Sequence, residues 1–324
     1  MKVKIKDIAY SFPKSSETND VLKKENPNWD MDKITEKTGI KKRFISEPDQ
    51  TALDLGFSAG NLILQKHNNL VKEIDLLIFI TQSPDYILPT SACIIQDNLN
   101  LSNDCMAFDI NQGCSGFVYG LSVAGSLIES KIASKALVIC ADSYTKYIKK
   151  DDRTNRPIFS DAGAATLLVS SYKDNISSFV NGTDGSGFES LIVKQGGARD
   201  LKKNRKKILE MNGSEVFLFT MKRIPAAIKE LLSNEKMSIE DIDLFIFHQA
   251  SRLVIENLTK SLKIDPLKVF KNFEDKGNTV SATIPIALKD ANEQGLLKKD
   301  NKVLIAGFGV GLSWGATILN WDVI

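Results

Sequence analysis

Cys114 stands in Asn111-Gln-Gly-Cys-Ser-Gly-Phe117, between an apolar run that reads as a strand (105–110) and one that reads as a helix (116–130). A thiol at such a turn faces the unpaired N–H groups and the positive dipole end of the helix, which favour the thiolate. Its small neighbours Gly113, Ser115 and Gly116 leave room for a tight turn and for a second molecule. The chemistry open to it is nucleophilic attack on an activated carbonyl; the alternative is a small buried hydrophobe. His248 follows Leu244-Phe-Ile-Phe247 and begins His-Gln-Ala-Ser, at the mouth of a buried strand. It reads either as a hydrogen-bonded core residue or as a proton donor or acceptor. Asn278, in Lys276-Gly-Asn-Thr-Val-Ser-Ala-Thr-Ile-Pro285, is by type a turn former or helix cap, and alone would carry little weight. His67, in Gln-Lys-His-Asn-Asn, reads as the solvated end of a polar helix.

Lys302-Val-Leu-Ile-Ala-Gly-Phe-Gly-Val-Gly-Leu-Ser-Trp-Gly315 places three glycines after a strand, as a dinucleotide fingerprint does. The next residues, Ala316-Thr-Ile-Leu-Asn-Trp321, read as another strand, so the strand–turn–helix unit that fingerprint needs is missing. A glycine-rich hairpin that brings backbone N–H groups to an oxyanion fits the run better.

The elements that position these residues alternate between β-like and helix-like segments. Ala52–His67, Thr90–Leu99, Ser214–Ser233 and Arg252–Leu262 read as helices; runs such as Ile74–Ile80 are continuously apolar, as strands covered on both faces are. The fold class is α/β, with mixed sheets and helices between them, and such sheets put their sites past strand ends. The chain also repeats. Ile74 and Ile242 open near-identical strands 168 residues apart; Leu137 and Val303 match at 166, and the turns at Cys114 and Asn278 at 164. Three nearly equal offsets in one order indicate two copies of one αβ module, 1–171 and 172–324. The first carries the cysteine; the second carries the histidine and asparagine.

Bulk properties narrow the rest. The 324 residues are 43% apolar and 25% charged with formal net charge +2, ordinary for a globular chain and without a pull toward nucleic acid or membrane. No apolar stretch reaches bilayer-spanning length. The first residues alternate like an edge strand and lack a signal-peptide core, and the four cysteines show neither paired nor metal-type spacing. The expected compartment is the reducing cytoplasm.

Taken together, Cys114-Ser-Gly-Phe, His248-Gln-Ala, Gly277-Asn-Thr and Gly307-Phe-Gly-Val-Gly-Leu-Ser-Trp-Gly315 resemble the β-ketoacyl-acyl-carrier-protein synthase III family. So do Lys37-Thr-Gly-Ile-Lys-Lys-Arg43, Pro89-Thr-Ser-Ala-Cys93 and Phe159-Ser-Asp-Ala-Gly-Ala164, in order along essentially the whole chain. The resemblance implies a duplicated thiolase-like fold in α-β-α-β-α layers, a homodimer, and a catalytic set of Cys114, His248 and Asn278. It implies that Cys114 takes an acyl group from acyl-CoA or an acyl-carrier protein. Decarboxylative condensation with malonyl-carrier protein then follows, needing no metal or redox cofactor. The backbone N–H groups of Cys114 and Val310 would hold the oxyanion. Lys37, Arg153, Gly213 and Phe217 would bind the coenzyme A or pantetheine arm, Leu88 would bound the acyl pocket across a dimer interface, and Arg252 and Lys260 would dock the carrier protein.

The chain departs from the family pattern in places. Lys33 occupies the position of a tryptophan that commonly stacks on adenine, with Trp29 nearby but out of register, and Ser214 replaces an asparagine. Gln112-Gly113 precedes the nucleophile where housekeeping members carry small residues. These features fit a specialised paralogue as readily as the initiator of bulk fatty-acid synthesis. The basic run Arg199–Lys207 is a second docking candidate or a solvated loop. Acyl transfer to a hydroxyl or amine from the same acyl-cysteine is the competing reading; it needs a carboxylate base, for which Asp85 is the candidate, though a turn role suits that residue better. A non-catalytic scaffold is the third reading, and its mark would be a lost member of the set.

Overall fold

The structure is a computed structural model and describes residues 1–200 and 206–322. Five strands build the first main sheet, in the order Val3–Ser11, Ala162–Ser170, Lys135–Asp142, Leu76–Ile80, Met106–Ile110. Four build the second: Leu244–Phe247, Lys302–Gly309, Ser313–Asn320, Val180–Thr183. The repeat seen in the sequence is the repeat of the sheets. Leu76–Ile80 runs parallel to Lys135–Asp142, which runs antiparallel to Ala162–Ser170. Leu244–Phe247 runs parallel to Lys302–Gly309, which runs antiparallel to Ser313–Asn320. Register agrees too: Leu76 faces Ala136 as Leu244 faces Val303.

The two sheets sandwich the helices Gly116–Glu129 and Thr283–Glu293, and residues from all these elements share one buried cluster. A helix between two sheets has no polar face to spare. Gly116–Glu129 accordingly buries Phe117, Val118, Leu121, Ala124 and Ile128, and needs glycine and alanine where the sheets press closest. Ala52–Lys66 and Ser91–Asn98 cover the outer face of the first sheet; Gly213–Asn234 and Arg252–Ser261 cover that of the second. The layers are therefore α-β-α-β-α, as the family resemblance implied.

Helix starts are written locally. The hydroxyl of Thr51 accepts from the Asp54 N–H, while the Asp54 carboxylate accepts from the Thr51 N–H, a reciprocal cap that begins Ala52–Lys66. Ser251 caps Arg252–Ser261 and Asn212 caps Gly213–Asn234. His67 differs from the expectation of a free surface residue: its Nε2 lies 3.0 Å from Asp7 Oδ2, so it ties its helix to the first strand. Residues 201–205 of the basic run lie outside the described residues. Among the described residues no helix is long and apolar enough to cross a membrane.

The middle layer sets the most demanding packing. Phe117 is fully buried there, between the sheets. Phe117→Ala is expected to cost about 3–5 kcal/mol, read as a drop in the urea midpoint at unchanged m-value.

Candidate active site

The turn between Met106–Ile110 and Gly116–Glu129 holds Cys114 at 5% exposure. The glycine hairpin lies directly on it. A Cβ on Gly309 would stand 3.0 Å from both Cβ and Sγ of Cys114, tighter than nearly all real Cβ contacts, so glycine lets that strand lie against the sulfur without displacing it. Hydroxyls weld turn to hairpin: Ser115 Oγ meets Ser313 Oγ at 2.8 Å, and Ser313 Oγ donates to the Val310 carbonyl at 2.7 Å. Gln112, unusual in the sequence, earns its place here, because its Oε1 lies 3.2 Å from the same Ser313 Oγ. Among the described residues neither the Cys114 nor the Val310 backbone N–H reaches an oxygen acceptor, so two donors stand unengaged beside the nucleophile.

His248 follows its strand and is 2% exposed. Its N–H donates to the Ala306 carbonyl at 2.8 Å, its ring packs edge-on against Phe308, and Nδ1 lies 2.7 Å from Thr283 Oγ1. Burial with no compensating carboxylate pushes its pKa down to about 3, so the imidazole is neutral.

Asn278 is bound into the first half of the molecule: its N–H donates to the Ile158 carbonyl and its carbonyl accepts from the Ser160 N–H, both at 2.9 Å. Gly277, at φ +69°, turns the chain into this position, and a Cβ there would press on Ser160. The side-chain Oδ1 accepts from the Val280 N–H at 2.9 Å. That leaves the carboxamide NH2 as the group facing the cavity.

Cys114, His248 and Asn278 line one cavity of ≈ 160 Å³ whose other lining residues, Phe159, Leu191, Phe217, Phe308 and Gly309 among them, carry no charge. Through Ile158, Met211, Gly213 and Phe217 it continues into an outer vestibule of ≈ 1090 Å³, where Lys37, Arg153, Gly213 and Phe217 all converge. Ser214 lines the vestibule; Lys33 and Trp29 do not, and Lys33 instead pairs with Asp30 at 3.0 Å. Arg252 sits near the rim with Nη1 3.5 Å from the Glu36 carbonyl, and Lys260 is exposed at the far end of that helix. Leu88 is 80% exposed and, among the described residues, lines neither the inner cavity, the vestibule nor the space beside Val310. Val310 lies on a third space of ≈ 340 Å³, with Gln82, Tyr144, Tyr147, Leu191 and Leu209.

Burial pushes the Cys114 thiol up, and the Asp142 carboxylate behind it pushes the same way. Desolvation thus opposes the helix terminus, whose positive end favours the thiolate. Asp142, missed in the sequence because a single Asp at a strand end carries no pattern, is fully buried. It accepts from Gln82 N at 2.8 Å and from Ser281 Oγ at 2.5 Å, and burial pushes it up to about 7. Asp85 is no base for this site: it accepts from Thr51 Oγ1 at 2.9 Å, and it lines neither the inner cavity nor the vestibule.

Comparison with known proteins agrees with this geometry. Residues 108–185 match the family model for 3-oxoacyl-[acyl-carrier-protein (ACP)] synthase III, and residues 232–321 match that for its C-terminal part. The β-ketoacyl-[acyl-carrier-protein] synthase III of Clostridium tetani is 37% identical over 335 residues, covering 99% of this chain and 98% of that protein. The chain belongs to the β-ketoacyl-[acyl-carrier-protein] synthase III family. A crystal structure of a 3-oxoacyl-(acyl-carrier-protein) synthase III superposes with TM-score 0.96 at 38% identity, covering 99% of this chain and 100% of that one. The Aquifex aeolicus enzyme gives 0.91 at 32% identity, covering 98% and 100%. The thiolase-like fold of this synthase family is thus the fold observed here.

A raised thiol pKa has a direct readout. At pH 7 alkylation of Cys114 by iodoacetamide is expected to trail that of the exposed Cys93, and to accelerate only as pH passes well beyond 9, followed by peptide mass mapping. Fast labelling of Cys114 at pH 7 would contradict a raised thiol pKa.

Proposed function

We propose that this protein is a decarboxylating condensing acyltransferase that loads an acyl group on Cys114 and joins it to a malonyl thioester. One observation carries the reading. A thiol, a neutral imidazole and an oriented carboxamide NH2 share a single uncharged cavity, and no carboxylate lines it.

Cys114 attacks the acyl thioester and releases the donor thiol, with the free Cys114 and Val310 N–H groups as donors to the tetrahedral oxyanion. A malonyl thioester then occupies the same tunnel. His248 and Asn278 donate to its thioester carbonyl, so that loss of CO2 leaves a hydrogen-bonded enolate, which attacks the acyl carbon and frees Cys114. Two neutral donors suit this step, because an enolate needs stabilisation without being protonated. Simple acyl transfer to a hydroxyl or amine is the weaker reading, since the nearest carboxylate, Asp142, is buried behind the nucleophile and already occupied by donors.

The vestibule residues Lys37, Arg153, Gly213 and Phe217 suit the pantetheine arm and phosphates of acyl-CoA or of an acyl-carrier protein, and Arg252 and Lys260 suit an acidic carrier outside it. A homodimer accounts for the exposed apolar stretch Tyr86, Ile87 and Leu88, at 60%, 79% and 80% exposure, and would seat Leu88 at the partner's acyl pocket. Four free thiols fit a reducing, cytoplasmic setting. The acyl chain is assigned to the space beyond Cys114. There Tyr144, 4% exposed, donates to Gln82 Oε1 at 2.6 Å, and the bulk of its ring would limit the length of the acyl group.

Intact-mass measurement with acyl-CoA, followed by malonyl-carrier protein, tests the reading. Cys114→Ala should show no acyl gain. His248→Ala and Asn278→Ala should still reach full acylation, His248→Ala more slowly, while CO2 release and β-ketoacyl product fall by ~10²-fold or more. An acyl label that persists without Cys114, or product formation without CO2, would sink the proposal. Tyr144→Leu should raise octanoyl over acetyl loading by about tenfold in the same assay.

A further inference from the structure

Thr283, within the Lys276–Pro285 run, is 2% exposed. Its hydroxyl lies 2.7 Å from His248 Nδ1 and 3.1 Å from the Val280 carbonyl. A hydroxyl has one proton, and both partners can accept it. If the proton points to Val280, the oxygen must accept from Nδ1–H and Nε2 is left with a lone pair. If it points to Nδ1, the ring proton is on Nε2.

We propose that Thr283 is a positioning residue whose hydroxyl rotation sets the tautomer of His248, a base in acyl loading and a donor in condensation. The inference rests on the condensation reading above. In loading, Nε2 takes the Cys114 proton, sulfur bonds to the acyl carbon, the carbon–sulfur bond to the donor breaks, and the proton passes to the departing thiolate. In condensation, Nε2–H donates to the malonyl thioester oxygen as the bond to CO2 breaks. The enolate carbon then bonds to the acyl carbon, the Cys114 thiolate departs, and it takes one proton from water. Between the two halves a proton leaves Nδ1 and another reaches Nε2 through solvent, with no net change. Because the ring is buried and uncharged, no ion pair competes with the hydroxyl for this choice.

With only two histidines in the chain, nitrogen NMR of the full-length protein reads the tautomer directly, and His67→Gln assigns the signals. The resting enzyme should carry its proton on Nδ1; Cys114→Ala saturated with malonyl-CoA should carry it on Nε2. Thr283→Val should remove the difference and slow acyl loading from acetyl-CoA by about tenfold to a hundredfold at unchanged KM, with Thr283→Ser restoring both. The same tautomer in the resting enzyme and in malonyl-CoA-bound Cys114→Ala, or Thr283→Val loading at the wild-type rate, would overturn the proposal. Should Thr283→Val fail to fold, the wild-type and Cys114→Ala spectra still decide it. Failure of the condensation reading alone would instead show as no CO2, with the Thr283 effect on loading intact.

Discussion

The short segment Gly277–Thr283 is the constraint from which the site follows. It forms backbone pairs with Ile158 and Ser160 of the first half, holds the Asn278 carboxamide through the Val280 N–H, and presents Thr283 to His248. Ser281 fastens it a second time, donating to Asp142. The cost is visible in the backbone: Val280, β-branched and fully buried, sits at φ +55°. A conformation of that kind costs on the order of 1–3 kcal/mol and persists only where its surroundings over-determine it. Here they do, with hydrogen bonds on either side of the strained residue.

Burial is the second constraint, and it acts on all members of the site alike. Removing water raises the thiol, lowers the imidazole and raises Asp142, so each of the three is driven toward its uncharged form. The helix that begins at Gly116 acts on Cys114 in the opposite direction. It offers its positive end to the charge that develops on sulfur during attack, when preorganised dipoles act without competition from solvent.

How much of this could be read beforehand depends on whether a residue announces itself by its neighbours in sequence. The strand–turn–helix around Cys114 and the glycine hairpin do, because turn chemistry and apolar periodicity are local. The α/β class and the two corresponding modules were legible in the alternation of segments and the equal repeat offsets, whereas the layering was implied by the family resemblance alone. Asp142, Thr283, Gln82 and Tyr144 were silent. Each is an ordinary residue whose meaning comes from a partner 35 to 139 positions away. The balance of forces on the Cys114 thiol was half legible for the same reason: the helix terminus is visible in sequence, whereas the depth of burial that opposes it is not. The wall formed by Leu191–Val193 and Leu209–Met211, a small two-stranded sheet, also escaped notice, since each strand spans only three residues.

Duplication explains why the chemistry divides between the halves as it does. Thr81 follows the strand that corresponds to the one preceding His248, and Asp142 ends the strand that corresponds to the one carrying Phe308. In the first half the pair is polar, with Thr81 Oγ1 3.4 Å from Asp142 Oδ1; in the second it is His248 edge-on to Phe308. One repeated arrangement of strand ends thus serves two purposes. The polar pair supplies the anchor that holds Gln82 and Ser281, and the aromatic pair supplies the neutral donor in a dry cavity. The turns at Cys114 and Asn278, which correspond in the same way, meet across the junction. A nucleophile and a carboxamide reach the same space because two copies of one module face each other, and neither copy alone encloses it.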